Sequence, residues 1–207
     1  MFKVRLIISL IIQQIVILIK INAFKFTGRN KRELLWEAHM KVNKVTLEEH
    51  VNTLFVTEKI TYKTPKLISN HLEDAFDEME YFGFPLCNPF ELLTKKVAGS
   101  IFAEDLLRLE GKKVTVYGYY VTVKRTATSK GDLMYFGTFI DVKGDHIDTV
   151  HFPNVAQKYP FRGRGVYKIT GKVTQEFDCV SIAVSEMEKL NIIQDPRYTD
   201  KTTKKIA

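Results

Sequence analysis

Five short strand-like runs between Gly111 and Leu190 constrain the fold of this chain more than any other feature of its sequence. The runs are rich in Val, Ile, Thr, Tyr and Phe, which are residues favoured in strands. Lys-Gly-Asp turns and the pair Gly163 and Gly165 separate them, and one helix-sized insert falls between the third and fourth runs. Five strands with a single such insert predict a small closed β-barrel.

The commonest soluble architecture with this layout is the OB-fold, a five-stranded Greek-key barrel whose sheet face and loops bind oligonucleotides. Helices are predicted before it, because Asn30 and Asn70 stand as N-caps with Glu33 and Glu73 three residues on. The predicted fold class is therefore α+β, with an N-terminal helical segment followed by a five-stranded OB-fold β-barrel.

The helix after Asn70 carries carboxylates opposite its apolar side, and these are Glu73, Asp74, Asp77, Glu78 and Glu80. Acidic residues are favoured in the first turn of a helix. We therefore interpret this cluster as a solvated helix face and not as a metal site.

Positive charge concentrates on the predicted barrel. Of the net charge of +7, residues 1–110 contribute +1 from 15 Lys/Arg against 14 Asp/Glu, and residues 111–207 contribute +6 from 16 against 10. A basic surplus on a β-barrel is the electrostatic footprint expected for a polyanionic partner. A mildly basic domain without such a partner has the same composition, so charge alone leaves both interpretations open.

A site for single-stranded nucleic acid needs cations for the phosphates and flat rings for the bases. The first barrel hairpin supplies both. Lys124, Arg125 and Lys130 surround its loop, while Tyr119 and Tyr135 lie in the flanking strands and are predicted to face outward. Core packing is the alternative for these rings, since a small barrel has to be filled.

A second basic group surrounds the fourth strand and consists of Arg162, Arg164, Lys168 and Lys172. We add these four residues to the candidate DNA-binding set. Sequence alone does not place the two basic groups on one face.

Catalytic motifs are missing from the sequence. It contains no Asp-x-Asp pair that could hold two metal ions, no Ser/His/Asp arrangement, no HExxH, no P-loop and no Rossmann glycine pattern. Cys87 and Cys179 are isolated, which argues against a disulfide framework or structural zinc and indicates a reducing compartment. We predict no enzymatic activity of this chain on its own, no cofactor, no metal and a cytoplasmic location.

The apolar start of the chain resembles a targeting segment. From Leu6 to Ile19 it carries no charge, but these 14 residues are interrupted by Gln13 and Gln14 and are fewer than a membrane span needs. A signal peptide stays open as an alternative, although the residues up to Ala23 make a poor cleavage site. The other alternative is a buried helix.

Three blocks of the sequence resemble one family, the alpha subunit of bacterial DNA polymerase III, in the region C-terminal to its catalytic core. The blocks are LIKINAFKFTGRNKRELL, EMEYFGFPLCNPFELL, and the barrel with GKKVTVYGYYVTVKR, SKGDLMYFGTF and VHFPNVAQKY. They occur in the family's order and cover nearly the whole chain from about Gln14 to Tyr198. Asn22, Lys25 and Asn88 depart from the family pattern.

The resemblance implies a role in DNA replication without the catalytic palm. Leu54 and Phe55 form an apolar pair in a hydrophilic segment, which is typical of either a peptide anchor or a core contact. In the family this position carries the sliding-clamp-binding peptide. Val51 occupies the position at which that peptide has a glutamine. The implied partners are single-stranded DNA, the sliding clamp and the catalytic remainder of the polymerase if it is separately encoded, with no membrane contact.

The predicted division of the chain has five parts. They are residues 1–44, a helical remnant of the polymerase; 45–70, a connector with the clamp-binding peptide; 71–110, a helical connector; 111–192, the OB-fold domain; and 193–207, a basic flexible tail. Two alternative functions remain at this level. One is an OB-fold protein-interaction module that binds no nucleic acid, and the other is an exported OB-fold protein.

Overall fold

The computed structural model describes residues 2–48, 67, 70–97, 101–176 and 179–198. The chain forms two compact units. The helical unit comprises Met1–Pro85 with Asp195–Ala207, and the barrel unit comprises Leu86–Gln194. The predicted connector over residues 71–110 is thus divided between the two units after Pro85.

The described residues of the helical unit form three α-helices: α1 (Phe2–Lys20), α2 (Lys31–Glu48) and α3 (His71–Tyr81). A short 3-10 helix, Lys25–Thr27, lies between α1 and α2. The side chains of Asn30 and Asn70 cap α2 and α3, since they accept hydrogen bonds from the amides of Arg32 at 2.9 Å and Leu72 at 3.1 Å. Among the helices in the described ranges, none combines the length and the apolar character needed to cross a bilayer.

A buried carboxylate, Asp77 of α3, joins three parts of the helical unit. Its Oδ2 atom accepts a hydrogen bond from Lys31 Nζ of α2 at 3.1 Å, and its Oδ1 atom accepts one from Arg197 at 2.8 Å. Arg197 is also held by Asp195 in a bidentate contact, in which Nε donates to Oδ1 at 3.0 Å and Nη2 donates to Oδ2 at 2.7 Å. The sequence interpretation of a fully solvated acidic face is therefore wrong for Asp77, which is 3% exposed, and for Glu78, which is 6% exposed. Asp195 and Arg197 likewise make defined contacts where a flexible tail was predicted.

In its described residues the barrel unit contains two short 3-10 helices, Pro89–Leu92 and Ala103–Leu109. It also contains five strands and one α-helix. They are β1 (Lys113–Ala127), β2 (Leu133–Ile140), β3 (His146–His151), α4 (Pro153–Lys158), β4 (Val166–Glu176) and β5 (Cys179–Lys189). The strands close in the order β1-β2-β3-β5-β4, and β3 with β5 is the one parallel pair of this barrel. This topology, with a helix between β3 and β4, is the OB-fold, so the predicted fold class is confirmed.

Alternation along the strands fills the barrel. The inward side chains include Val116, Phe139, Ile147, Ile169 and Ile182, all fully buried. Gly171 lets β4 and β5 approach closely, because a Cβ atom there would lie 2.4 Å from the carbonyl oxygen of Ala183.

A register shift between Tyr120 and Thr122 divides strand β1. The first half of β1, Lys113 to Tyr119, pairs with β4, whereas the second half pairs with β2 out to Ala127 and Leu133. A bulge of this kind bends a strand and increases its twist. The β1–β2 hairpin therefore continues past the part of β1 that closes the barrel with β4.

Candidate nucleic-acid interface

One outward surface of the barrel runs across β1, β2 and β3. Because Phe139, Ile147, Thr149 and His151 are buried, the residues that alternate with them face outward. Strand register arranges these outward residues in three rows. We call this surface the β1–β3 face, and its rows are Tyr119–Ile140–His146, Thr122–Thr138–Asp148 and Lys124–Phe136–Val150.

Phe136 is an exposed ring on β2, the middle strand of this face. Its side chain is 45% exposed, and it stands directly opposite Lys124 on β1 and Val150 on β3. The candidate set drawn from the sequence does not include Phe136. The signal was present, because Phe136 has the opposite parity to the buried Phe139 on the same strand, so one of the two had to face out.

Tyr135 and Arg125 lie on the other side of the hairpin. The Tyr135 ring packs edge-on against Phe161 with centroids 5.7 Å apart, and the Arg125 guanidinium carbon lies 5.9 Å from the Tyr135 centroid. The prediction that Tyr135 faces outward as a stacking ring is therefore wrong. Its parity is that of Phe139, and Phe161 covers it from the loop after α4.

Tyr119 does lie on the β1–β3 face, where it is half-buried beside Ile140. Burial raises the pKa of its phenol, and the positive charge of Arg164 acts in the opposite direction. Tyr119 stands opposite Val166, and the Tyr120 amide donates to the Gly165 carbonyl at 3.0 Å, so the loop that carries Arg164 lies at the Tyr119 end of the face.

The loop that carries Arg162 and Arg164 is fixed from inside the barrel. The hydroxyl of buried Tyr167 accepts a hydrogen bond from the Arg162 amide at 2.9 Å and donates one to the Gly163 carbonyl at 2.6 Å. Lys189 Nζ donates to the Arg162 carbonyl at 3.0 Å. These contacts hold the two arginines at the start of β4.

Lys130 lies in the turn at the far end of the β1–β2 hairpin and is exposed. The turn is closed by a 2.8 Å hydrogen bond from the Thr128 amide to the Asp132 carbonyl. The Thr128 hydroxyl oxygen also accepts hydrogen bonds from the amides of Lys130 and Asp132. Lys130 and Lys124 therefore supply positive charge at this end of the hairpin.

Lys168 and Lys172 do not join this face. Both point outward from β4, whose neighbours are β1 and β5. Lys168 stands opposite Tyr117 on one side and Glu188 on the other. The second basic group of the sequence is thus split, with its arginines near Tyr119 and its lysines on the β4–β5 side.

Beneath the face lies a neutral histidine, His151 of β3. The Thr149 hydroxyl donates to the Gly137 carbonyl at 2.8 Å, so its oxygen accepts from His151 Nε2, 3.0 Å away. This arrangement places the ring hydrogen on Nε2 and leaves Nδ1 without a hydrogen-bond partner among the described residues. Phe161 packs on the ring at 4.9 Å, and burial lowers the His151 pKa from 6.5 to about 4.

The clamp-binding residues Val51, Leu54 and Phe55 lie outside the described residues. Within the described ranges, no group of three His, Cys, Asp or Glu side chains could hold a metal ion, and both Cys87 and Cys179 are exposed.

Among known proteins, the chain is similar to solved structures that contain a comparable barrel. No family model and no curated protein matches the chain. The barrel is similar to the second OB-fold domain of replication protein A from Methanococcus maripaludis, with 14% identity over 42% of this chain and 91% of that one and a TM-score of 0.31. It is similar to the mitochondrial single-stranded DNA binding protein Rim1 from S. cerevisiae, with 9% identity over 40% and 99% and a TM-score of 0.34. It is also similar to an OBody bound to hen egg-white lysozyme, with 17% identity over 47% and 96% and a TM-score of 0.37.

Proposed function

We propose that this chain binds single-stranded DNA on the β1–β3 face of its barrel. The observation that supports this most is Phe136, an exposed ring placed by register beside the cation Lys124. Base stacking on such a ring contributes about 1 to 3 kcal/mol per base and tolerates any base, while the cation attracts the phosphate. In the OB-fold, strands 2 and 3 with their loops are the usual surface for oligonucleotides.

Positively charged side chains at both ends of the face can bind the phosphates of one DNA strand. Lys124 and Lys130 lie toward the hairpin end of the face, and the loop with Arg162 and Arg164 lies at the Tyr119 end. Along β1, the distance from Tyr119 to Lys124 is about 16 Å at about 3.3 Å per residue. A short stretch of backbone can therefore contact both groups of cations while its bases meet Phe136.

Binding to a thymine oligonucleotide should be strongly salt-dependent. Four cations flank the face, and each phosphate contact on single-stranded DNA contributes about 0.7 to the log–log slope, so we expect a slope near −3. Fluorescence anisotropy with labelled oligo-dT over a salt series measures it. No binding at low salt would contradict the proposed function and favour a barrel that contacts only proteins.

A pair of phenylalanine variants provides the control for this measurement. Phe136→Ala should weaken binding about fivefold or more with an unchanged salt slope, because it removes a stacking ring and no charge. Phe84→Ala removes a ring that is 44% exposed, nearly the same as Phe136, but lies in the helical unit. Equal losses in the two variants would place the binding surface elsewhere.

The finer proposal concerns replication. We infer that the chain acts with a replicative DNA polymerase as a non-catalytic part corresponding to the C-terminal region of the polymerase III alpha subunit. The support is the order of the three sequence blocks, with the apolar anchors Leu54 and Phe55 at the clamp-peptide position. Its partners would then be the sliding clamp and a separately encoded catalytic remainder.

Clamp binding has its own measurement. Immobilised sliding clamp should retain the full chain, and Leu54→Ala/Phe55→Ala should reduce retention at least about tenfold, because two apolar anchors of one short peptide are lost. The double variant should keep its affinity for oligo-dT. Retention that does not change in the double variant would rule out this peptide as the contact.

A further inference from the structure

A lone carboxylate lies on the β1–β3 face, in the row next to Phe136. Asp148 of β3 is exposed and stands opposite Thr138 of β2 and Ser181 of β5. No ion pair to Asp148 occurs within the described part of the chain. The row beside the stacking ring therefore carries a negative charge with hydroxyl neighbours, on a surface proposed to meet DNA.

The orientation of this carboxylate is fixed by one hydrogen bond. The Thr138 hydroxyl donates to Asp148 Oδ1 at 2.8 Å. An ionised carboxylate only accepts hydrogen bonds, and its two oxygens offer about four lone-pair sites, so Oδ2 and the remaining Oδ1 site stay available. Asp148 thus presents a paired acceptor held in one orientation.

The distance between ring and carboxylate suits a base. Phe136 is opposite Val150, and Asp148 is two residues before Val150 on the same side of β3. Diagonal neighbours of this kind are about 7 to 8 Å apart. A base stacked on the Phe136 ring can therefore direct its hydrogen-bonding edge at Asp148.

Guanine is the base whose edge matches two acceptors. Its ring N–H and its amino group lie side by side as two donors. Cytosine and adenine place their amino group beside an acceptor, and thymine places its N–H between two carbonyl oxygens. Unstacked bases are recognised through such edges, and a carboxylate is the side chain that accepts from base amino groups.

We propose that Asp148 makes the β1–β3 face prefer guanine in single-stranded DNA. The inference rests on the proposed function, since it needs a base on Phe136. The negative charge weakens phosphate binding in general. The preference is therefore a ratio of affinities between oligonucleotides, not a gain in every affinity.

Three labelled oligonucleotides test this ratio: a thymine dodecamer, the same dodecamer with three separated guanines, and the same with inosine in place of guanine. Inosine keeps the ring N–H and lacks the amino group. The guanine oligonucleotide should bind at least about fivefold more tightly than the thymine one, the lower end of what one bidentate pair supplies. Inosine should lose most of that gain.

Two charge-matched variants complete the experiment. Asp148→Asn puts an amide donor where guanine needs an acceptor, so it should abolish the preference. Glu188→Gln removes the same charge on the β4–β5 side and should preserve it. Equal affinities for the three oligonucleotides, or a rise of the same factor for all of them in Asp148→Asn, would overturn the inference while the proposed function stands. Absence of binding to any of them at low salt would overturn both.

Discussion

Replacing Asp77 with alanine should destabilise the helical unit by about 3 kcal/mol. Asp77 is buried and pairs with Lys31, whose side chain is only 9% exposed, and with Arg197. Removing one partner of a buried ion pair costs about 3 to 5 kcal/mol, because the remaining charge is left buried and uncompensated. We expect the lower end, since Lys31 keeps Asp74 and the carbonyl of Lys20, and Arg197 keeps Asp195.

The single tryptophan of the chain, Trp36, lies in α2 and reports on the helical unit. Urea unfolding followed by its fluorescence should show a midpoint about 1 to 3 M lower in Asp77→Ala than in the wild type, with an unchanged slope. Asp74→Ala is the matched control, because Asp74 lies on the same helix, contacts the same Lys31 and is 36% exposed. It should cost less than about 1 kcal/mol. Equal midpoint shifts in the two variants would contradict the role assigned to Asp77.

The second large effect is a loss of barrel stability in acid. His151 has a pKa of about 4 in the folded barrel and 6.5 when solvated. Between these values the unfolded chain binds a proton that the folded chain does not, so stability falls as the pH decreases from 6.5 to about 4. At 1.36 kcal/mol per pKa unit the loss is about 3 kcal/mol, and below pH 4 the contribution of His151 levels off.

Two variants isolate this contribution from the general effect of acid. His151→Gln keeps an N–H for Thr149 but has no titrating group, so the difference from wild type should depend on pH only between 6.5 and 4. His146→Gln removes an exposed histidine from the same strand and should leave the wild-type pH profile in place. Denaturant unfolding at closely spaced pH values, monitored by far-ultraviolet circular dichroism, gives both profiles. A pH slope that persists in His151→Gln would show that another group is responsible.

The barrel was predictable because its signals are local. Each strand has its own β-branched and aromatic run, and the turns at Gly131 and Gly144 have positive φ values that glycine adopts freely. The side of the sheet on which a single side chain lies was harder to predict. Tyr135 is covered by Phe161, which lies 26 positions later in the chain, so no local pattern shows that contact.

The overall distribution of charge was predictable from the sequence, but the pairing of single charges was not. The count of Lys and Arg correctly located the basic surplus in the C-terminal half, but it could not show that register sets Glu188 against Lys168. Asp77 was misread for a related reason. No local pattern distinguishes it from the exposed Glu80 on the same helix, and only the distant Lys31 and Arg197 make its burial tolerable.

The parallel pairing of β3 with β5 has a consequence for synthesis on the ribosome. The first three strands form a meander, in which each strand pairs with the next one in the sequence. The other edge of β3 stays unpaired until Ser181 to Ala183 of β5 have been synthesised, about thirty residues after β3. An unpaired strand edge is a template for pairing with other chains, and long-range pairing is slow compared with hairpin formation. During translation the nascent meander is therefore exposed to association with its own copies until β5 emerges.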